Sequence, residues 1–114
     1  MSEGVFWLIE LVIKTGQLDN FRALTGEMVE SSRREAGVLS YERFVSDDGK
    51  FVYAYERYAN SAAALAHLRT FEKMFSRRFL GMVDRRRFTV FGAPTEELRK
   101  VLERFGATYL RLFD

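Results

Sequence analysis

The chain has 114 residues, of which 47% are hydrophobic and 15% aromatic, so it is long enough for one domain with a hydrophobic core. Its 18 basic and 16 acidic residues give a formal net charge of +2, a smaller excess than nucleic-acid-binding domains usually carry. The absence of cysteine excludes disulfide bonds, a thiol nucleophile and thiolate metal ligands, and the apolar run Val5–Ile13 is too short to span a membrane. We therefore expect a cytoplasmic protein.

The first two predicted elements are a strand and a helix. Val5–Ile13 is rich in β-branched and aromatic residues and hardly alternates, a pattern typical of a strand buried on both faces. From Leu18 to Val29 the apolar residues recur at the spacing of one helical face, which predicts an amphipathic helix. Gly37 is predicted to end this helix in the left-handed conformation.

A β-hairpin is predicted between Tyr41 and Tyr58, where the sequences Tyr-Glu-Arg-Phe and Tyr-Glu-Arg-Tyr flank a turn. Asp48-Gly49 is the dipeptide that a two-residue type I′ turn prefers, and such a turn would pair Tyr41 with Glu56. The face that should meet the helices then carries Leu39, Tyr41, Arg43, Val45, Val52, Ala54, Glu56 and Tyr58. The opposite face carries Ser40, Glu42, Phe44, Ser46, Phe51, Tyr53, Tyr55 and Arg57.

This register also predicts one ion pair on each face of the hairpin. Arg43 lies diagonal to Glu56 on one face, and Glu42 lies diagonal to Arg57 on the other. Diagonal neighbours in a sheet are within reach of long side chains. Neither face therefore resembles an ordinary solvated surface.

The second half of the chain predicts two further helices and two further strands. Ser61 is a good N-cap for a helix, which the phenylalanines at Phe71, Phe75 and Phe79 extend or restart. Residues 85–91 predict a fourth strand, and a helix with apolar residues on one side follows the turn at Pro94. Residues 107–113 could form a fifth strand.

The element order β-α-β-β-α-β, followed by an appended α-β unit, predicts a ferredoxin-like α+β fold. Right-handed crossovers then give a four-stranded antiparallel sheet with both helices on one face. An RNA-recognition motif has the same topology, and the strand from Lys50 to Tyr55 loosely resembles its aromatic signature. No glycine follows Lys50 and the charge excess is small, so a second subunit is the favoured cover for the aromatic face.

Three segments together resemble the antibiotic biosynthesis monooxygenase domain over about residues 4–92. They are EAGVLSYE at residues 35–42, FVYAYERY at residues 51–58 and SAAALAHL at residues 61–68. The resemblance implies a homodimeric α+β barrel, joined through the sheet faces, with a ligand pocket between helices and sheet in each subunit. We expect residues 1–92 to form this domain and residues 93–114 to be a helix-strand extension of it.

The resemblance also implies an activity. Some members oxygenate small electron-rich phenols or quinols without a metal or an organic cofactor, whereas others degrade haem. With one histidine in the chain and none between Phe71 and Phe79, where haem-degrading members place a ligand, we expect neither cofactor nor metal. His67 and Glu56 match the family pattern, and catalytic roles are expected for His67, Glu56 and Tyr58. Binding of a small aromatic ligand is expected of Trp7, Tyr41, Arg43, Phe71 and Phe75.

Two departures from the family pattern leave another function open. Tyr58 stands where the family usually has a tryptophan, and Ala54 stands where polyketide-oxidising members have an asparagine. A non-catalytic small-molecule-binding or stress-related dimer on the same scaffold is therefore the alternative to an enzyme. Each candidate also has a structural interpretation, since His67 could bond backbone, Glu56 could simply pair with Arg43, and Trp7 could be core.

Overall fold

A five-stranded sheet carries the helices on one side. The computed structural model describes residues 4–113. Its strands are β1 (Val5–Ile13), β2 (Val38–Val45), β3 (Phe51–Tyr58), β4 (Val83–Gly92) and β5 (Thr108–Leu110). Its helices are α1 (Leu18–Ser32), α2 (Ser61–Met74), α3 (Ser76–Met82) and α4 (Glu96–Glu103).

The strands lie in the order β2-β3-β1-β4-β5. The first four are antiparallel to their neighbours, and β5 is parallel to β4. The predicted ferredoxin-like α+β fold, with its appended helix and strand, is therefore confirmed. The phenylalanine-rich segment restarts the helix, because Phe75 leaves the helical conformation between α2 and α3.

The hairpin has the predicted register but a different turn. Tyr41 pairs with Glu56 and Val45 with Val52. The type I′ turn was wrong, because Gly49 alone of the turn residues has a positive φ, and the loop between the strands is longer than two residues. Asp48 closes this loop by accepting hydrogen bonds from the Ser46 hydroxyl and the Lys50 amide. Residues 46 and 51 still face each other, so the strand register is unaffected.

Two details of the predicted hairpin faces differ in the structure. The register of β2 shifts between Val38 and Ser40, and Leu39 is 58% exposed instead of facing the helices. Arg57 donates to the hydroxyl of Tyr55 and lies over the Phe6 ring, and within residues 4–113 it forms no ion pair with Glu42. The predicted pair on the other face, between Arg43 and Glu56, does form.

The hydrophobic core lies between the helices and one face of the sheet, which we call the inner face. One cluster surrounds Trp7 and Tyr58, and a second surrounds Leu11 and Phe21. The extension belongs to the first cluster, because Leu98 and Leu102 of α4 are fully buried in it. No helix within residues 4–113 is long and apolar enough to cross a membrane.

The side of the sheet without helices, which we call the outer face, is aromatic. It carries Phe6, Phe44, Phe51, Tyr53, Tyr55 and Phe91. Phe6 stacks on Phe91, with ring centroids 4.7 Å apart, and Phe44 and Tyr53 remain 58% and 41% exposed in the single chain. Burial of β1 on both faces is therefore only partial within one chain.

Gly37 has a structural role other than the predicted one. Helix α1 ends at Ser32, and the positive φ angles among the described residues do not include Gly37. A Cβ on Gly37 would lie 2.3 Å from the Cβ of Ala63 in α2. Glycine is therefore needed here because α2 packs directly against the loop that leads into β2.

Replacing Gly37 by alanine tests this contact. We expect Gly37→Ala to lower the free energy of unfolding by about 1–3 kcal/mol, the usual cost of overpacking, measured by urea denaturation. Gly26→Ala is the control, because no atom lies within 4 Å of that Cβ position in α1. The control should be neutral or stabilising by up to about 1 kcal/mol, since alanine is the better helix former. Equal stability of Gly37→Ala and wild type would contradict the packing interpretation.

Candidate active site

The buried carboxylate of Glu56 is the centre of a polar network on the inner face. Its Oε1 accepts a hydrogen bond of 2.9 Å from the indole of Trp7 and one of 2.5 Å from the Tyr58 hydroxyl. Its Oε2 accepts a hydrogen bond of 2.6 Å from Nη2 of Arg43. Because the inner face holds every second residue of each strand, adjacent strands β1, β2 and β3 bring these four side chains together.

The network keeps Glu56 ionised. Burial alone would raise the pKa of this carboxyl, but the Arg43 guanidinium, the His67 imidazole and the hydrogen bonds from Tyr58 and Arg43 lower it below its ordinary value. All three hydrogen bonds to Glu56 come from good donors, and two of them reach the same oxygen. Glu56 is therefore a weak base that holds its partners in place.

The two tyrosines of the network stay protonated. Burial, followed by the nearby Glu56 carboxylate, raises the pKa of Tyr58 well above its ordinary value, and the same two causes raise the pKa of Tyr41. The Arg43 guanidinium lies 3.6 Å from the centroid of the Tyr41 ring, which holds that ring in place. Tyr58 and Tyr41 thus offer hydroxyl groups as hydrogen-bond donors, and the Tyr58 hydroxyl already donates a hydrogen bond to Glu56.

His67 lies between two carboxylates. Its Nδ1 is 3.3 Å from Oε2 of Glu35, and its Nε2 is 3.6 Å from Oε1 of Glu56. Helix α2 supplies His67, and the segment between α1 and β2 supplies Glu35. The ring is held edge-on by Tyr41 at a centroid distance of 5.3 Å and lies 5.2 Å from Tyr58. With Nδ1–H donated to Glu35, Nε2 is the nitrogen left to exchange a proton with a ligand.

A cavity opens beside this network, between the inner face and helices α2 and α3. It has an empty volume of about 600 Å³, which includes its mouth to solvent. The apolar part of its wall consists of Trp7, Ile9, Leu11, Ala54, Leu68, Phe71, Phe79, Leu80, Phe88 and Phe105. The polar part consists of Tyr41, Arg43, Glu56, His67, Ser76 and Arg85. An apolar wall with a few convergent polar groups is typical of a small-molecule site.

Most of the residues predicted for the site meet at this cavity. Trp7, Tyr41, Arg43, Glu56, His67 and Phe71 line it. Tyr58 lies behind the wall, fully buried, and reaches the site through its hydrogen bond to Glu56. Phe75 does not line the cavity, because the break between α2 and α3 turns its ring into the second core cluster.

Three polar residues at the site were not predicted from the sequence: Ser76 and Arg85, which line the cavity, and Glu35, which contacts His67. Glu35 lies in the segment between α1 and β2, and it contacts His67 from 32 positions away. Arg85 belongs to the segment 85–91 that was predicted only as a strand, and it lines the cavity. Two buried atoms of the network, Nη1 of Arg43 and Oε1 of Glu35, have no hydrogen-bond partner among the described residues. They are a donor group and an acceptor that the described residues leave unsatisfied.

Metal ligands are not grouped at this site. Within residues 4–113, no three side chains of histidine, cysteine, aspartate or glutamate lie together as a metal ion would require.

The structure defines a ferredoxin-like α+β domain with a cavity on the inner face of its sheet, and the sequence assigns it to a family. The family model for antibiotic biosynthesis monooxygenases matches residues 5–74, more than half of the chain. The chain therefore belongs to the antibiotic biosynthesis monooxygenase family. This match confirms the resemblance predicted from the sequence and favours it over the RNA-recognition motif. No curated protein matches the sequence.

Solved structures share the fold. MupZ from Pseudomonas fluorescens is 24% identical with a TM-score of 0.85, and the match covers 100% of this chain and 88% of MupZ. A Bacteroides thetaiotaomicron protein provisionally assigned to the same family is 26% identical with a TM-score of 0.68, covering 82% and 90% of the two chains. Rv0793 from Mycobacterium tuberculosis is 25% identical with a TM-score of 0.67, covering 82% and 97%. The MupZ match thus includes the C-terminal extension.

Acid should destabilise the protein through Glu56. Because folding lowers the pKa of Glu56, the unfolded chain holds the proton more tightly, and stability is lost as pH falls below the ordinary glutamate value of 4.5. We expect Glu56→Gln to reduce the free energy of unfolding at pH 7 by about 3–5 kcal/mol, because it leaves Arg43 buried without its counter-charge. The same variant should lose less stability than wild type between pH 5 and pH 3.

Urea denaturation across this pH range measures both effects. Glu30→Gln is the matched control, because Glu30 pairs with Arg33 at an exposed surface of α1 and its removal should change little. A Glu56→Gln variant as stable as wild type at pH 7 would show that the network is unimportant for folding.

Proposed function

We propose that the protein is a cofactor-independent monooxygenase that acts on a small aromatic phenol or quinol. The observation that carries this proposal is the position of His67, which lines an aromatic cavity while two carboxylates flank its ring. The family to which the chain belongs supports the same class of chemistry.

His67 is the proposed general base. Within residues 4–113 its Nε2 makes no hydrogen bond, so it can accept the proton of a phenolic hydroxyl. The imidazolium formed in this way is stabilised by Glu35 on one side and Glu56 on the other. The resulting phenolate gives up an electron to O₂ more readily than the neutral phenol does.

The reaction balances without another reductant. For a substrate with an activated CH₂ group beside the phenol, one atom of O₂ becomes a carbonyl oxygen on that carbon. The other oxygen atom leaves as water with the two hydrogens of the CH₂ group. The substrate supplies all four electrons that reduce O₂. The protein contributes proton transfer and an apolar wall that excludes water.

A non-catalytic ligand-binding or stress-related protein is the second candidate. It is favoured by the state of Glu56, whose oxygens already accept three hydrogen bonds and which is therefore poorly suited to act on a substrate. It is also favoured by Ala54, an apolar side chain at the cavity wall where oxidising relatives are expected to carry an asparagine. In this case the same cavity binds an aromatic molecule without converting it.

Oxygen uptake separates the two candidates. With a panel of quinols and anthrone-like phenols, we expect wild type to consume O₂ and His67→Gln to be slower by about 10²–10⁴-fold, the usual contribution of a general base. Glutamine retains a polar side chain of similar reach, so the helix and the cavity should persist. Thr70→Ala is the matched control, because Thr70 lies on the exposed side of the same helix and bonds only the backbone.

The outcomes differ between enzyme and binder. Equal oxygen uptake by wild type and His67→Gln would show that His67 is not the general base. Binding of an aromatic ligand by calorimetry, without uptake of oxygen from any compound in the panel, would favour the non-catalytic candidate.

We further propose that two copies of the chain associate through their outer faces. The support is physical: an aromatic face that includes Phe44 and Tyr53, more than 40% exposed, is costly to leave in water. The members that this chain resembles are expected to be dimers of this kind.

Mass measured in solution tests this association. We expect a dimer by light scattering, and a monomer for Tyr53→Lys, because a lysine in the centre of a closed apolar interface would be desolvated without a partner. Met74→Lys is the control, because Met74 is 56% exposed at the end of α2, away from the sheet. A monomeric wild type at micromolar concentration would contradict the proposal.

A further inference from the structure

Arg85 reaches the cavity because β4 changes register. Glu10 of β1 pairs with Arg87, but the next residue, Leu11, pairs with Arg85, so Arg86 is an extra residue in β4. An extra residue of this kind re-aims the side chains on either side of it. Arg85 therefore shares the inner face with Leu11, whereas Arg87 lies on the outer face and approaches Glu10 at 3.7 Å.

Arg85 is the cation that the cavity leaves uncompensated. The other arginine at the wall, Arg43, is neutralised by Glu56 at 2.6 Å. Arg85 forms no ion pair with any residue in the described part of the chain. Arg85 is exposed at the mouth of the cavity, and burial of part of its side chain lowers its pKa.

The C-terminal extension holds Arg85 in position. Its guanidinium carbon lies 4.9 Å from the centroid of the Phe105 ring, and Phe105 in turn stacks on Phe88 at 6.2 Å. Stacking occupies one flat side of the guanidinium and leaves its N–H edge free. Arg85 thus lines the cavity, and its guanidinium makes no hydrogen bond with any residue in 4–113.

Arg85 and the Glu56–His67 network lie at opposite ends of the site. Arg85 pairs with Leu11 on β1, whereas Glu56 pairs with Trp7, four residues earlier on the same strand. Four strand residues correspond to about 13 Å, and β3 and β4 are two strand spacings apart, about 10 Å. Between the two ends the wall is apolar and includes Phe71, Phe79 and Phe88.

We propose that Arg85 binds a carboxylate on the ligand, so that the substrate class is an aromatic carboxylic acid with a hydroxyl group at the far end of its ring system. This inference rests on the proposed function for the hydroxyl end and on Arg85 alone for the acidic end. A planar guanidinium edge matches the two oxygens of a carboxylate. One uncompensated positive charge suits a monoanion better than a phosphate dianion.

Calorimetry with a hydroxynaphthoic acid and its methyl ester tests the carboxylate site in the absence of oxygen. Wild type should bind the acid more tightly than the ester. Arg85→Gln should weaken binding of the acid by about tenfold or more, the usual effect of losing a charge-assisted hydrogen bond, and leave the ester unchanged. Arg85→Lys should be intermediate, because it keeps the charge and loses the planar fork. Arg87→Gln removes the same charge from the outer face and should change neither affinity.

Several results would overturn the inference. Equal affinity of wild type for acid and ester is one such result, and an equal loss of affinity for both ligands in Arg85→Gln is another. Either result would show that Arg85 only packs against the cavity wall and does not bind a carboxylate. No binding of either ligand would do the same. Since the measurement involves no turnover, a protein that prefers the acid but consumes no oxygen would retain the carboxylate site and lose only the monooxygenase function.

Discussion

The buried carboxylate of Glu56 is the constraint on which the rest of the site depends. A charge enclosed in the protein is costly unless every lone pair finds a donor, and here the donors come from three adjacent strands. Trp7, Arg43 and Tyr58 are each held in one orientation by this requirement. The same carboxylate faces His67, so the network that stabilises the sheet also determines the electrostatics of the cavity wall.

The sequence predicted the parts of the site that depend on alternation along a single hairpin. Arg43, Glu56 and Tyr58 were placed on one face because strand side chains alternate, and the structure has them there. The prediction failed where geometry depends on something without a sequence period. Glu35 reaches His67 only through tertiary packing, and Arg85 turns inward only because β4 gains one residue relative to β1. Gly37 was misread because its constraint is a neighbouring helix and not its own φ angle.

The C-terminal extension, residues 93–114, contributes to both the core and the cavity wall of this chain. The family model ends at residue 74, yet α4 fills the core beside Trp7 and Phe105 contributes to the cavity wall. A ligand in the cavity would therefore meet residues from outside the matched region. Relatives that lack this helix would present a different cavity wall to a ligand even with the same hairpin. The activity of one member therefore cannot be inferred for another from the shared segment alone.

The parallel strand β5 has a consequence for how copies of the chain can meet. It is the edge strand beside β4 and has only three residues, and the register of β2, the edge strand at the opposite end, shifts near Leu39. Unpaired, regular edges are what allow sheets of separate molecules to join end to end into open-ended polymers. With one edge strand short and the other irregular, the sheet is a poor template for fibre-like growth, in spite of the exposed rings on its outer face.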